Sequence, residues 1–229
     1  MQKCAIGLAM AAALSVITVS AQVKKPETAG NSQTAKLAPL FGSNLLKNGG
    51  IEATTTDEKK VPGWMAADGF TRAEYGSVGG EWDWGLSGCQ GCGKYYARLA
   101  FDGDVHELLT SQTVDVSAGA AKIDANKVTV TISAYLGGYR DADTTSVLNA
   151  SFQDVDGKEL GSLVTDPVDT KALQQAAKGS TSLALCEKSG SLPAGTKKIV
   201  FTWHAKSTGD SADYLALGDN FLLQLTASD

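Results

Sequence analysis

Cys89 and Cys92, three apart in the glycine-rich stretch 88–94 (GCQGCGK), are the residues whose type and spacing most directly admit chemistry. A C-x-x-C pair can be a redox dithiol, half of a zinc site or a local staple. A redox dithiol needs its first cysteine at a helix N-terminus, where the dipole stabilises thiolate. This pair sits in a loop that runs into a predicted strand, with no βαβ pattern around it. A zinc site needs four converging ligands and would have to recruit Cys186 and either His204 or His106, since there is no second C-x-x-C. A disulfide needs only a partner. The local Cys89–Cys92 bond is favoured because it requires no assumption about distant strands. A bond from either cysteine to Cys186 stays open; it would close a loop of about 95 residues and contribute roughly 2–4 kcal/mol.

Other catalytic constellations are weakly represented. The chain has 2 histidines, and neither His106 nor His204 accompanies a G-x-S-x-G strand–turn–helix elbow of the kind that presents a serine nucleophile. Glycoside hydrolysis needs two facing carboxylates, but most acids here fall in turns such as DVDGKE (154–159) and YRDADT (139–144). Binding chemistry is better represented. In GGEWDWGLSG (79–88), Trp82 and Trp84 flank Asp83. In an extended segment both indoles point one way, with Glu81 and Asp83 the other. Flat aromatic faces stack on the apolar C–H faces of sugars while nearby polar groups fix the hydroxyls. Tyr75, Tyr139, Arg140 and Asp141 lie in loops that could join such a site. The competing reading is that the two indoles plug one end of the fold, since large aromatics dominate cores as well. Trp64 and Trp203 are assigned to the core.

The elements that must position these residues read as strands. In KVTVTISAYL (127–136), Val128, Val130, Ile132, Ala134 and Leu136 alternate with polar residues, the period of a strand covered on one face. The same pattern recurs at 145–161, broken by a DVDGKE turn, at 197–206 and at 220–226, where Phe221, Leu223 and Leu225 share a face. Further strands are predicted at 95–101 and 108–116. Only 169–179 reads as helical, with Asp169 as its cap and Gly179 as its end. Many strands and little helix predict an all-β, two-sheet antiparallel β-sandwich with at most one short helix.

The N-terminus carries one lysine, an apolar run from Ala5 to Val19 and a small-residue V-S-A ending at Ala21. This reads as a secretory signal peptide over residues 1–21, too short to span a bilayer as an anchor. Residues 22–42 read as a flexible leader and 43–229 as one domain. An exported chain favours disulfides over free thiols. The formal charge is −5, which argues against nucleic acid because phosphate binding needs a basic footprint.

Two stretches at the ends of the domain carry a resemblance. NLLKNGGIEATTTDEKKVPGW (44–64) resembles the opening of galactose-binding-like jelly rolls, and YLALGDNFLLQL (214–225) resembles their closing strand. Intervening segments at 112–119, 134–162 and 190–205 are similar to their middle strands, so the resemblance covers roughly residues 43–226. It implies a jelly-roll sandwich similar to non-catalytic carbohydrate-binding modules. It also implies a structural Ca²⁺ ion joining the first and last strand regions, with Glu52 and Asp219 as carboxylate ligands; Asn220 stands where a second aspartate is frequent. Calcium takes six to eight hard oxygens, so carboxylates and carbonyls suit it. The combined expectation is a secreted or otherwise extracytoplasmic binding module for glycan or cell-surface polysaccharide. The alternatives are an adhesive or structural sandwich that contacts proteins, and a polysaccharide hydrolase.

Overall fold

The computed structural model describes residues 39–53, 55, 60–66, 69–76, 86, 88–101, 105–139, 142–176, 181–207 and 215–229. The expected signal peptide and most of the leader lie outside the described residues, as do Trp82, Asp83, Trp84, Arg140 and Asp141. The strands are β1 (Met65–Ala66), β2 (Phe70–Glu74), β3 (Tyr95–Ala100), β4 (Glu107–Asp115), β5 (Val128–Gly138), β6 (Thr144–Gln153), β7 (Glu159–Val164), β8 (Val168–Asp169), β9 (Ser182–Ser191), β10 (Lys198–Ser207) and β11 (Leu215–Ala227). Two short α-helices, α1 (Ala120–Asp124) and α2 (Thr170–Ala176), and a 3-10 turn at Ser117–Gly119 complete the described elements.

The strands form two antiparallel sheets. The first has the order β2-β3-β11-β5-β9 and the second β1-β4-β10-β6-β7, with β8 pairing β6. The predicted alternation is realised strictly in β6 and β10. Ile199, Phe201, Trp203 and Ala205 are fully buried on one face of β10, while His204 on the other face meets Glu107 at 2.5 Å. The predicted helix is α2, with Asp169 Oδ1 accepting from the Ala172 N–H (3.1 Å) as its cap. α1 falls where the sequence pattern placed no helix. β2 and β9 also had no prediction: each is an edge strand of the first sheet, paired on one side only, and an edge does not impose strict alternation.

Between the sheets sits an aromatic cluster. The Trp64 ring lies 5.0 Å from that of Phe221 and 5.9 Å from that of Phe70. Trp203 lies 5.2 Å from Phe221 and 6.3 Å from Phe70. Tilted and edge-on pairs of this kind add to the stabilisation from buried area. Leu40 and Phe41 pack against the same core, so the folded unit begins a few residues before 43.

Trp203 is fully buried, and its indole Nε1 has no hydrogen-bond partner among the described residues. Trp203→Ala should therefore cost about 3–5 kcal/mol, the range for emptying a large aromatic site. Trp203→Phe should cost much less, because no hydrogen bond is lost with the indole nitrogen. Urea unfolding of both variants checks this; equal losses would contradict it.

Candidate functional site

The site is built around an irregularity in β11, the central strand of the first sheet. Pairing with β5 runs Asp219↔Tyr135 and then resumes at Leu222↔Ser133. Asn220, at φ 52°, occupies the left-handed region, which asparagine tolerates better than most residues. This β-bulge changes which side chains face the core. Before it, Ala216 and Gly218 point inward; after it, Phe221, Leu223 and Leu225 do. Asp219 consequently lies on the outer face, in register with Tyr135, yet it is fully buried.

The N-terminal segment is laid along this bulge by main-chain and amide bonds. Gly42 and Leu45 donate to the carbonyls of Leu225 and Leu223 at 2.9 and 2.8 Å, and Phe221 donates to the carbonyl of Gly49 at 2.9 Å. Asn44 bridges the remaining groups. Its Nδ2 donates to the Phe221 carbonyl at 2.8 Å, and its Oδ1 accepts from the N–H groups of Leu46 and Leu223, each at 3.1 Å. Gln112 Oε1 accepts from the Lys47 N–H at 2.9 Å and its Nε2 donates to the Lys47 carbonyl at 2.8 Å, clamping the same segment to β4. The segment then turns through Asn48 (φ 52°) and Ile51 (φ 60°) and delivers Glu52 to the rim of the site. Glu52 Oε1 accepts the Tyr95 N–H at 2.8 Å. The carboxylate lies against Gly93, where a Cβ would collide with it.

Asp219 is held from two sides. Its Oδ1 accepts from the Asn220 N–H at 2.6 Å and its Oδ2 from the Tyr75 hydroxyl at 2.9 Å. Burial raises its pKa from 3.8 to about 6; the two hydrogen bonds oppose that shift, and the Glu52 charge adds to it. No cationic side chain among the described residues offsets these effects. Burial, and then the neighbouring Asp219 carboxylate, push the Tyr75 hydroxyl well above its ordinary range, so Tyr75 remains a donor.

The expected Cys89–Cys92 disulfide is present, with Cα atoms 5.1 Å apart. Its turn is closed by the Cys92 N–H donating to the Cys89 carbonyl at 3.1 Å, and Gly91 supplies the left-handed residue at φ 76°. Asn220 Nδ2 donates to the Gln90 carbonyl at 3.4 Å, tying this turn to the bulge. Cys186 is elsewhere. It faces the interior from β9, in register with Ala134, and its Sγ donates to the Asp166 carbonyl at 3.6 Å. The zinc set of Cys89, Cys92, Cys186 and a histidine therefore does not converge, nor does the long-range disulfide form. The group that does converge is Cys89, Cys92 and Asp219, with one ligand atom from each within 4.8 Å of the others. The spacing of the cysteines was legible in the sequence; the third member was not, because a bulge has no reliable sequence signature.

Beside Asp219, the outer face of the first sheet carries a second apolar cluster: Leu86, Tyr96, Tyr139, Leu215 and Leu217, with Tyr75 packed against it. The Tyr75 and Tyr96 rings are 4.8 Å apart. Tyr75 and Tyr139, both candidate binding residues, are thus gathered on one face. Leu86, two residues after Trp84, brings the end of the tryptophan loop to the same place. Tyr96 was not singled out in sequence, where it read as a strand residue. Its ring is 1% exposed, its hydroxyl is buried with no hydrogen-bond partner among the described residues, and burial pushes its pKa up to about 12.

No protein-family model and no curated protein matches the chain in sequence. Solved structures share its fold. A cyclase from Fischerella sp. TAU, solved with 4-(1H-indol-3-yl)butan-2-one, is 13% identical with a TM-score of 0.51, over 80% of this chain and 97% of that one. TmCBM61, solved with β-1,4-galactotriose, is 16% identical with a TM-score of 0.46, over 81% and 99%. The enzymatically active domain of bacteriophage CBA120 tailspike protein 4 is 12% identical with a TM-score of 0.49, over 80% of this chain and 21% of that one. This chain therefore spans about a fifth of the tailspike chain. The fold is the two-sheet jelly-roll sandwich that the galactose-binding-like resemblance implied, with the first and last segments meeting at the bulge. The similar structures include a carbohydrate-binding module and enzyme domains alike.

The raised Asp219 pKa gives a pH dependence with a definite sign. Between pH 4 and pH 6 the folded chain holds a proton that the unfolded chain has released, so stability falls as pH rises through this window. In the presence of a chelator, the unfolding free energy should drop by about 2 kcal/mol from pH 4 to pH 7 on account of this group. Asp219→Asn should remove that slope. A slope unchanged by the substitution, measured by urea titration at each pH, would contradict the assignment.

Proposed function

We propose that the chain is an exported, non-catalytic module that binds carbohydrate on the outer face of its first sheet. The observation that carries this reading is the grouping of Tyr75, Tyr96 and Tyr139 on that face. They stand beside Leu86, at the end of the EWDWGL stretch, and the Tyr96 hydroxyl among them is buried with no hydrogen-bond partner among the described residues. A face built from aromatic rings suits the apolar C–H faces of a sugar. Trp82 and Trp84 would supply the stacking surfaces, with Asp83 and Arg140 orienting hydroxyls at the rim. Among the described residues no helix is long and apolar enough to cross a membrane.

A structural calcium ion belongs to the same proposal, and the residues present fit it. Glu52 and Asp219 bring two carboxylates from opposite ends of the chain within electrostatic reach of each other, and Asp219, which no cationic side chain among the described residues neutralises, is fully buried. These two would hold the ion. When bound, it would neutralise them and tie the first segment to the last strand, leaving sugar contact to the aromatic face.

A glycan array, run with and without calcium chelation, tests the reading. Binding should be retained by the native chain and reduced at least tenfold by Trp82→Ala combined with Trp84→Ala. Tyr96→Phe should hold or raise stability, because it removes a buried hydroxyl with no partner among the described residues, and should leave glycan binding unchanged. Chelation should lower the melting temperature. Absence of binding to any glycan in both conditions would instead favour a structural or adhesive role.

A further inference from the structure

We propose that Cys89, Cys92 and Asp219 form a binding site for a soft divalent metal of the zinc class, present whenever the cysteines are dithiol and masked when they are joined. The three ligand atoms already lie within 4.8 Å of one another. Zinc sits about 2.3 Å from sulfur and about 2.0–2.2 Å from oxygen, so tetrahedral ligand atoms end up about 3.5–3.8 Å apart. Reaching that arrangement needs the carboxylate and the sulfurs to close by about 1 Å. The sulfurs must also separate, which side-chain rotation allows with the Cα atoms 5.1 Å apart.

The backbone that aims the ligands does not depend on the sulfur–sulfur bond. The turn is closed by the Cys92 N–H on the Cys89 carbonyl and shaped by Gly91 in the left-handed region. It is fixed to β11 by Asn220 Nδ2 on the Gln90 carbonyl. Asp219 is oriented by two donors, the Tyr75 hydroxyl and the Asn220 N–H, one on each oxygen. Each carboxylate oxygen keeps a further lone pair for a metal, and donors of this kind fix a ligand's direction and raise metal affinity. The chemistry of the donor set also fits. Two thiolates and one carboxylate present three negative charges, and a thiolate pair selects zinc-class ions over calcium or magnesium. Gln90 and Gly91 are exposed while both cysteines are half-buried, so ions and reductants can reach the sulfurs from solvent. Water completes the fourth position from that side.

The dithiol form requires no special event, because every chain is synthesised with two thiols. From the joined form, a small-molecule dithiol restores it: two electrons and two protons pass to Cys89 and Cys92 as the dithiol closes to its cyclic disulfide. The metal ion then displaces the two thiol protons to solvent. This site is distinct from the calcium reading, which uses Glu52 and leaves the disulfide intact; the two ions share only Asp219 and exclude one another.

Cobalt(II) is the probe. The full mature chain, reduced with a phosphine that does not compete for metal, is titrated under nitrogen. The expected result is one equivalent bound, with a thiolate-to-cobalt charge-transfer band and intense tetrahedral visible bands. The oxidised chain should show neither. Cys89→Ser or Cys92→Ser should abolish the band, Cys186→Ser should leave it intact, and Asp219→Asn should weaken binding at least tenfold. No band in the reduced chain, loss of the band in Cys186→Ser, or full affinity in a folded Asp219→Asn variant would each overturn the proposal. Should Asp219→Asn fail to fold, X-ray absorption of the zinc-loaded native chain decides instead. Two sulfurs with oxygen ligands support the site, and an all-sulfur shell overturns it.

Discussion

One residue inserted into the central strand organises this molecule. The bulge at Asn220 shifts the phase of β11 by a single position, and because strand side chains alternate with a period of two, that shift exchanges the faces. Without it, Asp219 would point the same way as Phe221, Leu223 and Leu225, which form the floor of the core. A carboxylate there would be buried among Trp64, Phe70 and Trp203 with no donor, a cost of several kcal/mol. The bulge sends the aspartate to the outer face and keeps the phenylalanine and leucines inside. Core and candidate site are thus two consequences of the same backbone irregularity.

The bulge also interrupts the ladder, and the molecule recovers the lost hydrogen bonds with the N-terminal segment. Phe221 N–H goes to the Gly49 carbonyl, Phe221 carbonyl to Asn44 Nδ2, and Leu223 N–H to Asn44 Oδ1. Buried backbone polar groups are almost always paired, so a gap in a central strand demands a substitute, and a side-chain amide is well suited because it offers a donor and an acceptor in one plane. This accounting explains why the first segment of the domain lies where it does, and hence why Glu52, 167 positions before Asp219 in the chain, comes within electrostatic reach of it.

How much of this could be read from the sequence follows from the same physics. β5, β6 and β10 announce themselves because each is paired on both sides and covered on one face, which forces strict alternation. β9, SLALCEKSGS, does not: it is an edge strand with mostly exposed or half-buried positions, and its apolar residues carry no regular period. The nearness of Glu52 and Asp219 was available only through resemblance of the chain ends, since no local pattern links residues so far apart. The local disulfide was legible from spacing and compartment alone. The convergence of that disulfide with Asp219 was not, because it depends on the bulge, and LGDNF spells out neither the bulge nor its direction. Tyr96 was hidden for a different reason: in YYAR, two tyrosines on alternate faces are ordinary strand residues, and only the structure shows that one of them ends in a buried hydroxyl with no partner among the described residues.

The buried carboxylate then admits a physical interpretation beyond either metal. Asp219 is surrounded by groups that fix its direction, yet no cationic side chain among the described residues neutralises it, and the Glu52 charge raises its energy further. A residue present only to satisfy Tyr75 and the Asn220 N–H could be an asparagine at lower cost, since its amide oxygen accepts hydrogen bonds without carrying a charge into the interior. A charge kept against that cost makes sense where something positive visits it. A carboxylate lies on the Glu52 side and sulfurs on the Cys89–Cys92 side, so under the two proposals above the identity of the visitor would be governed by whether the two sulfurs are bonded to each other. On those proposals the same aspartate would serve two kinds of cation chemistry, and the bulge that placed it on the outer face is what would give access to both.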